Sequence, residues 1–393
     1  MHTHKNVFLL TIDCLGADKC WPRGGARLRT VRRLQQRGVT FRQAFSTTSS
    51  TTPSIASILT GQYPFVHGIR STRGWSLSPG VKTLATYLKE AGYKTSAFST
   101  GPLLPETRLD RGFDDYIHVD PVRSIRVLKW RLERSRMQRN SALLLKFVEE
   151  HSGNERPWFQ WVHVLDLHNR WRKTQRVAGG LCGYEHALRL LDQTLSLVLE
   201  KLDFAETIVV VCADHGHFVR AMDHQRMPNI PYAEAHGFHI YEVLTHIPLI
   251  LVNQGLLPEG VVVDDLVQSI DILRTLLSML DLPVSQRLPG IDLTTLRQQG
   301  GESPSPPRPR HIYLRACGSL LQSPAYHLHG VRDSRWKYCE AVLPEPGRFP
   351  ELYDLNEDPR EQRNVYRDCP EVAERMRHAL LEMLTHDAAG EHA

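Results

Sequence analysis

The chain has 393 residues, 41% of them hydrophobic and 23% charged, with a formal net charge of +5. That length can bury a sizeable core, and one large plus one small domain is the expectation. The mild basicity suits an anionic substrate without calling for nucleic acid, and no apolar run is long enough to span a membrane. The chain runs almost directly into its first strand, so no signal peptide is expected. Seven cysteines, an odd number without Cys-x-x-Cys spacing, point to reduced thiols and a cytoplasmic location.

In chain order, Val7–Ile12 is an apolar run that stops at Asp13, with Cys14 beside it. Thr30–Gly38 reads as a helix closed by glycine. The hydroxyl-rich stretch Ser46–Thr52 precedes Pro53–Gly61, which reads as a helix with Pro53 in its first turn, Thr52 as N-cap and Gly61 as C-cap. Thr51 then sits just outside a helix N-terminus, where free N–H groups favour an anion. A nucleophilic hydroxyl and a polar loop with a well-made cap both fit that pattern. Val81–Gly92 reads as a further helix. The segment Arg123–Arg139 holds seven basic residues against Glu133 alone; a solvated helix face and a flap that attracts polyanions both fit it.

Trp158–Leu165 is a second apolar run, stopping at Asp166 with His168 two residues on. Tyr184–Leu202 is an amphipathic helix with Leu188, Leu191, Leu195 and Leu202 on its apolar face. Thr207–Ala213 is the third run and ends in Asp214-His215-Gly216. Leu266–Leu280 reads as a helix. A Pro/Gly/Ser-rich linker follows over 299–309. Beyond it, His311–Cys317, Tyr326–Arg332 and Arg335–Val342 read as strands, and Glu371–Leu384 as a closing helix.

The alternation predicts an α/β protein with a mostly parallel sheet flanked by helices. Its catalytic domain is expected over 1–298, and a small α+β domain over 310–393. Short apolar runs of this kind read as buried parallel strands, and ligands of open α/β sheets bind beyond the carboxyl ends of the strands. Three strands ending in Asp, two of them followed by His, bring carboxylates and imidazoles into one crevice. That is the composition of a divalent-metal site.

The order of motifs resembles the sulfatase family of the alkaline phosphatase superfamily over nearly the full length. The opening Asn6–Asp18 looks like the family's first strand and metal aspartate. Thr51–Gly68 is similar to its nucleophile signature, and Ala213–Gly216 to its late metal motif. His236–Glu242 with His246–Ile250 and the segment Glu351–Pro359 are similar to later landmarks. The departures are informative. Sulfatases proper carry Cys-x-Pro-x-Arg, whose cysteine becomes formylglycine; here Thr51 and Ile55 hold those positions. Formylglycine hydrate ejects sulfate by collapse to the aldehyde, which a threonine cannot do. The second N-terminal aspartate of the family is Cys14 here.

By that resemblance, Asp13, Thr51, Asp214 and His215 form the main metal site, with Thr51 as nucleophile. Replacing a carboxylate by an imidazole favours Mn²⁺ or Zn²⁺, with Ca²⁺ left open. Asp166, His168 and His236 hold a second metal, or else His168 and His236 act directly as phosphate binders and general acid/base, with one ion only. His67 and Arg70, with Arg73, and Lys337 in the small domain are weaker candidates for the substrate. His163 reads as a packed core histidine, His217 and His239 as site wall or structure, and Asp18, Asp192 and Asp271 as structural. The expected activity is metal-dependent hydrolysis of a phosphodiester, phosphonate or phosphomonoester through a covalent Thr51 intermediate. A sulfatase without formylglycine and a phospho-group transferase are the alternatives. The expected partner is a small anionic ester; homo-oligomerisation is left open.

Overall fold

The apolar runs become the middle of one sheet. A computed structural model describes residues 5–21, 28–119, 129–152, 156–168, 183–217, 236–297, 310–316, 327–341 and 350–388. The main sheet has eight strands: β1 (Asn6–Ile12), β2 (Val39–Phe45), β3 (Lys94–Thr100), β4 (Asp115–Val119), β5 (Trp158–Val164), β6 (Thr207–Ala213), β7 (Leu249–Val252) and β8 (Val261–Gln268). Their order is β4-β3-β5-β1-β6-β7-β2-β8. All pairings are parallel except those of β7, which runs antiparallel to β6 and β2. β5 and β6 are buried along their whole length. Both lie inside the sheet and are buried on both faces, which is why they read as nearly continuous apolar runs rather than alternating ones.

The order β5-β1-β6 places the three Asp-terminated strands side by side. In register, Thr11 of β1 lies between His163 of β5 and Cys212 of β6. Asp13, Asp166 and Asp214 therefore leave the sheet at one edge. Helix Arg29–Arg37 packs outside and is capped in trans: Asp192 accepts from the amides of Arg29 and Thr30, both at 3.0 Å, which satisfies two N–H groups a helix start leaves open. Asp271 is likewise structural, accepting from Gln268 N at 2.7 Å and Ile291 N at 2.8 Å.

A second sheet, order β12-β11-β10-β9, is antiparallel and consists of β9 (Ile312–Ala316), β10 (Leu328–Arg332), β11 (Trp336–Ala341) and β12 (Glu351–Asp354). Helix Pro370–Ala388 covers one face, where Tyr313, Val331, Tyr338 and Leu352 meet Met376 and Leu380. The other face, through Ile312, Leu314 and Cys339, packs on Phe45, Ile240 and Leu266 of the large domain.

One expectation over 266–280 is corrected. Leu266–Gln268 continue β8 in register with β2, and the helix spans only Asp271–Met279. Apolar residues recur on both sides of the boundary, at Leu266, Val267 and Ile270 and again at Ile272 and Leu273, so periodicity alone does not divide the segment. The linker expected over 299–309 lies outside the described residues, as do residues 123–128 of the basic segment. Residues 129–139 of that segment fall in helix Lys129–His151.

Candidate active site

The nucleophile candidate sits one position deeper than its sequence suggests. The helix is Thr51–Thr60, with Ser50 as N-cap and Gly61 in the left-handed region (φ 62°) as C-cap. Thr51 is thus the first helical residue, and Thr52 is not the cap. Thr51 Oγ1 donates to Asp13 Oδ2 at 3.0 Å and lies 3.2 Å from His215 Nε2. Ile55, where the family signature has arginine, is buried in the main core.

Asp214 is fixed from two sides: its Oδ1 accepts from His215 N at 2.7 Å and Cys14 N at 3.2 Å. Cys14 adopts φ 61°, a conformation uncommon for a non-glycine residue. The Tyr184 hydroxyl, donating to Cys14 O at 2.8 Å, helps to hold it there. Gly216 is required by space: a Cβ there would lie 2.1 Å from Val243 O. His215 Nδ1 lies 2.8 Å from Gly216 O. Donation to that carbonyl leaves Nε2 as the free lone pair facing Thr51, the usual way a ligating imidazole is oriented.

Three polar atoms in this cluster are buried without a hydrogen-bond partner: Asp13 Oδ1, Asp214 Oδ2 and His163 Nε2. Asp13, His163 and Asp214 each offer a ligand atom within 4.8 Å of the others. Asp13 and Asp214 are fully buried. Burial pushes both carboxyls up, yet His168, His215, His163 and His236 hold Asp13 below the usual range, while burial and the charge on Asp13 raise Asp214 well above it. Burial also lowers His215, and brings His163 down to about 4. Burial thus disfavours the charged forms of these groups, and imidazole and carboxyl donors share an interior that holds no full counter-charge for two carboxylates. A divalent cation fits that donor set.

His163 was not expected here. It pairs in register with Thr11, whose Oγ1 is 2.9 Å from its Nδ1, and its Nε2 is 3.9 Å from Asp13 Oδ2. Thr11 and Asp13 share a face by the two-residue period, so a histidine opposite Thr11 shares it too. That signal exists in the sequence but is readable only once β1 and β5 are known to be neighbours.

His168 and His236 come together, Nε2 to Nε2 at 3.1 Å, and His236 stacks on His215 with ring centroids 4.3 Å apart. A contact that short requires a proton on one of the two nitrogens or a shared cation. Desolvation, then His215 and His168, drive His236 well below the ordinary histidine range. Cys14 completes a ligand group with this pair. Asp166, expected beside them, is buried but joins no such group among the described residues.

The weaker candidates separate. His67 is buried and serves the nucleophile helix: Ile69 N donates to its Nδ1 at 3.1 Å, and its Nε2 lies 3.1 Å from Ser57 Oγ. Arg70 is exposed, its guanidinium 5.7 Å from the centre of the Trp75 ring. Lys337 does not face a crevice. It is fully buried, with Nζ 2.6 Å from Glu242, 2.9 Å from Glu361 and 2.9 Å from Ile240 O. His239 is bonded to Glu351 at 3.0 Å, which gives it a structural role.

Known proteins resemble this chain in sequence and in fold. The sulfatase family model matches residues 5–282, and a model of the N-sulphoglucosamine sulphohydrolase C-terminal region matches residues 236–387. Arylsulfatase K of Homo sapiens is 29% identical over 180 residues, which is 45% of this chain and 31% of that protein. The match thus spans about a third of the relative's length. The fold of a phosphonate monoester hydrolase of Agrobacterium radiobacter superposes with TM-score 0.75 at 20% identity, over 98% of this chain and 96% of the other. A 2-O GAG sulfatase superposes with TM-score 0.77 at 19% identity, over 97% and 92%. With the family model running through the elements that position Asp13, Thr51 and Asp214, this chain belongs to the sulfatase family.

Proposed function

We propose that the chain is a metal-dependent hydrolase of phosphoric esters, phosphonate monoesters included, acting through Thr51. The observation that carries this reading is the hydroxyl at position 51, hydrogen-bonded to Asp13 at 3.0 Å, where a formylglycine sulfatase has an aldehyde hydrate. An aldehyde hydrate can release sulfate by carbonyl collapse. A threonine ester has to be cleaved by water, which phosphoryl chemistry accommodates. The fold neighbours include both sulfatases and phosphonate monoester hydrolases, so the scaffold is compatible with either ester.

Asp13, Asp214, His215 and Thr51 would hold the cation, with His163 as a further donor. Two imidazoles in that set favour Mn²⁺ or Zn²⁺ over Ca²⁺. Such an ion supplies Lewis acidity toward a phosphoryl oxygen and acidifies the threonine hydroxyl. Thr51 Oγ1 forms the new bond to phosphorus as the bond to the leaving oxygen breaks. Its proton departs along the existing hydrogen bond to Asp13. The His168–His236 pair, with one proton between two facing nitrogens, hands a proton to the departing alcohol. Water, giving a proton back to the histidine pair, then breaks the bond between phosphorus and Oγ1, and Asp13 returns its proton to Oγ1 to regenerate the hydroxyl.

The test is turnover of an aryl phosphate monoester, diester, phosphonate and sulfate with Mn²⁺, Zn²⁺ or Ca²⁺, beside Thr51→Ala. Phosphoryl turnover that falls by on the order of 10³-fold or more in the variant is expected. Faster cleavage of the sulfate would replace this reading with sulfuric ester hydrolysis. Undiminished turnover by Thr51→Ala would remove the nucleophile.

A further inference from the structure

Arg315, near the end of β9, is 6% exposed, and its Nε is enclosed without a partner. Among the described residues no side-chain or backbone acceptor is hydrogen-bonded to its guanidinium, and no carboxylate pairs with it. Other enclosed arginines are matched: Arg310 by Asp271 at 2.7 and 2.8 Å, Arg332 by Glu242 at 3.1 Å. A guanidinium withdrawn from water and left unpaired is costly to the fold. Such a group is retained at a site where an anion arrives.

Its place points to which anion. Arg315 N donates to Thr47 O at 2.9 Å, and a parallel bridge joins Arg315 to Thr48. That segment leaves β2 at the sheet edge carrying Asp13 and Asp214, and it ends at Thr51. Two hydroxyls in it, Thr47 Oγ1 and Ser50 Oγ, are buried with no hydrogen-bond partner. The positive charges of Arg315 and Arg70 both bear on His67, which burial keeps neutral. Two cations thus lie near His67, which is bonded to Ser57 of the nucleophile helix, and unused hydroxyls line the segment that leads to Thr51.

We propose that Arg315 is a substrate-recognition residue that receives a second oxyanion of the substrate, separate from the ester being cleaved. This rests on the ester-hydrolase reading, and it narrows the substrate class to esters carrying a further carboxylate, sulfate or phosphate. The small C-terminal sheet then supplies selectivity, while the strand ends of the large domain supply chemistry.

The test uses binding and melting rather than turnover. Wild type, Arg315→Gln and Arg315→Met are titrated calorimetrically with phenylphosphonate and with its 3- and 4-carboxy and 3- and 4-sulfo derivatives. In wild type, one of the doubly anionic probes binds about tenfold more tightly than phenylphosphonate, as a charge-assisted hydrogen bond allows. In Arg315→Gln that ratio collapses to about one. The carboxy and sulfo arms tell which oxyanion the site takes. Without ligand, Arg315→Met melts no lower than wild type, because an unpaired buried charge has been removed. A ratio near one in wild type, or a ratio that survives in Arg315→Gln, overturns the proposal. So does a clear drop in the melting temperature of ligand-free Arg315→Met, which would assign the arginine to structure. If wild type binds none of the probes, the ester-hydrolase reading fails with it, whereas a failure confined to the ratio leaves that reading standing.

Discussion

Two buried polar clusters in this molecule differ in charge balance. Around Lys337, two cations meet two carboxylates: Lys337 pairs with Glu242 and Glu361, and Arg332 pairs with Glu242, all within 3.1 Å. Glu242 is held well below its usual range despite burial, by Arg332 and then Lys337. Glu361 is pushed up to about 7, first by burial. Around Asp13, two carboxyl groups meet imidazoles whose charged forms burial disfavours, and three ligand atoms have no partner among the described residues. Both clusters are buried to a similar degree, yet the first closes on itself and the second leaves room for a dication. Burial of polar residues does not by itself mark a functional site; the missing counter-charge does.

The largest way to break the closed cluster is Lys337→Met. It strands Glu361 in the interior and leaves Glu242 with Arg332 alone, and a loss of about 3–5 kcal/mol of unfolding free energy is expected. Denaturant unfolding checks this through the shift in midpoint at unchanged slope. A change below about 1 kcal/mol would mean that water or a rearranged Arg332 replaces the lysine, and the contrast between the clusters would weaken.

Filling the open cluster comes next. Adding Mn²⁺ or Zn²⁺ to chelator-treated protein stabilises it by about 2.7 kcal/mol when the ion stands at a hundred times its dissociation constant. Asp13→Asn should remove most of that increment. His163→Leu should reduce it, because a donor is lost while both carboxylates remain. An increment identical in His163→Leu and wild type would return His163 to the core-packing role its position inside a strand suggests. Melting curves with and without the ion decide this independently of any substrate.

Much of this site is readable from the chain, and the unreadable part has specific causes. Thr207–Ala213 coincides with β6, because six apolar residues after Thr207, bounded by Glu206 and Asp214, leave no other boundary. Asp13 and Asp214 follow from strand ends alone, since a carboxylate just past a buried parallel strand has one place to go. His163 did not follow, because its face depends on which strand lies beside it. Lys337 was misplaced for a related reason: its partners Glu242 and Glu361 are far from it in sequence, and nothing local shows that the space around it is filled. Arg315 carries no local motif at all. Its meaning comes from an absence of partners among the described residues, which only three-dimensional neighbours can reveal.

The smallest effect concerns His67, a buried polar residue satisfied only in its neutral form. Ile69 N donates to Nδ1, so the one ring proton sits on Nε2 toward Ser57. Burial lowers its pKa from 6.5 to about 3, with Arg315 and Arg70 adding to the shift. Because the folded value lies below the unfolded one, the unfolded chain takes up the proton first. The stability tied to neutral His67 is present above pH 6.5 and is lost as the pH falls toward 3. Over the first unit below 6.5 that loss is about 1 kcal/mol. Other buried histidines contribute with the same sign, so the wild-type slope alone does not identify His67. The difference between wild type and His67→Gln does, and it should amount to about one proton in the pH dependence of unfolding free energy. Parallel slopes would show that His67 titrates at its ordinary value despite its burial. A slope difference that shrinks in the Arg315→Gln background would instead tie the histidine to the unpaired arginine. The two would then form one electropositive wall beside the nucleophile helix, in which a third positive charge is resisted until an anion arrives.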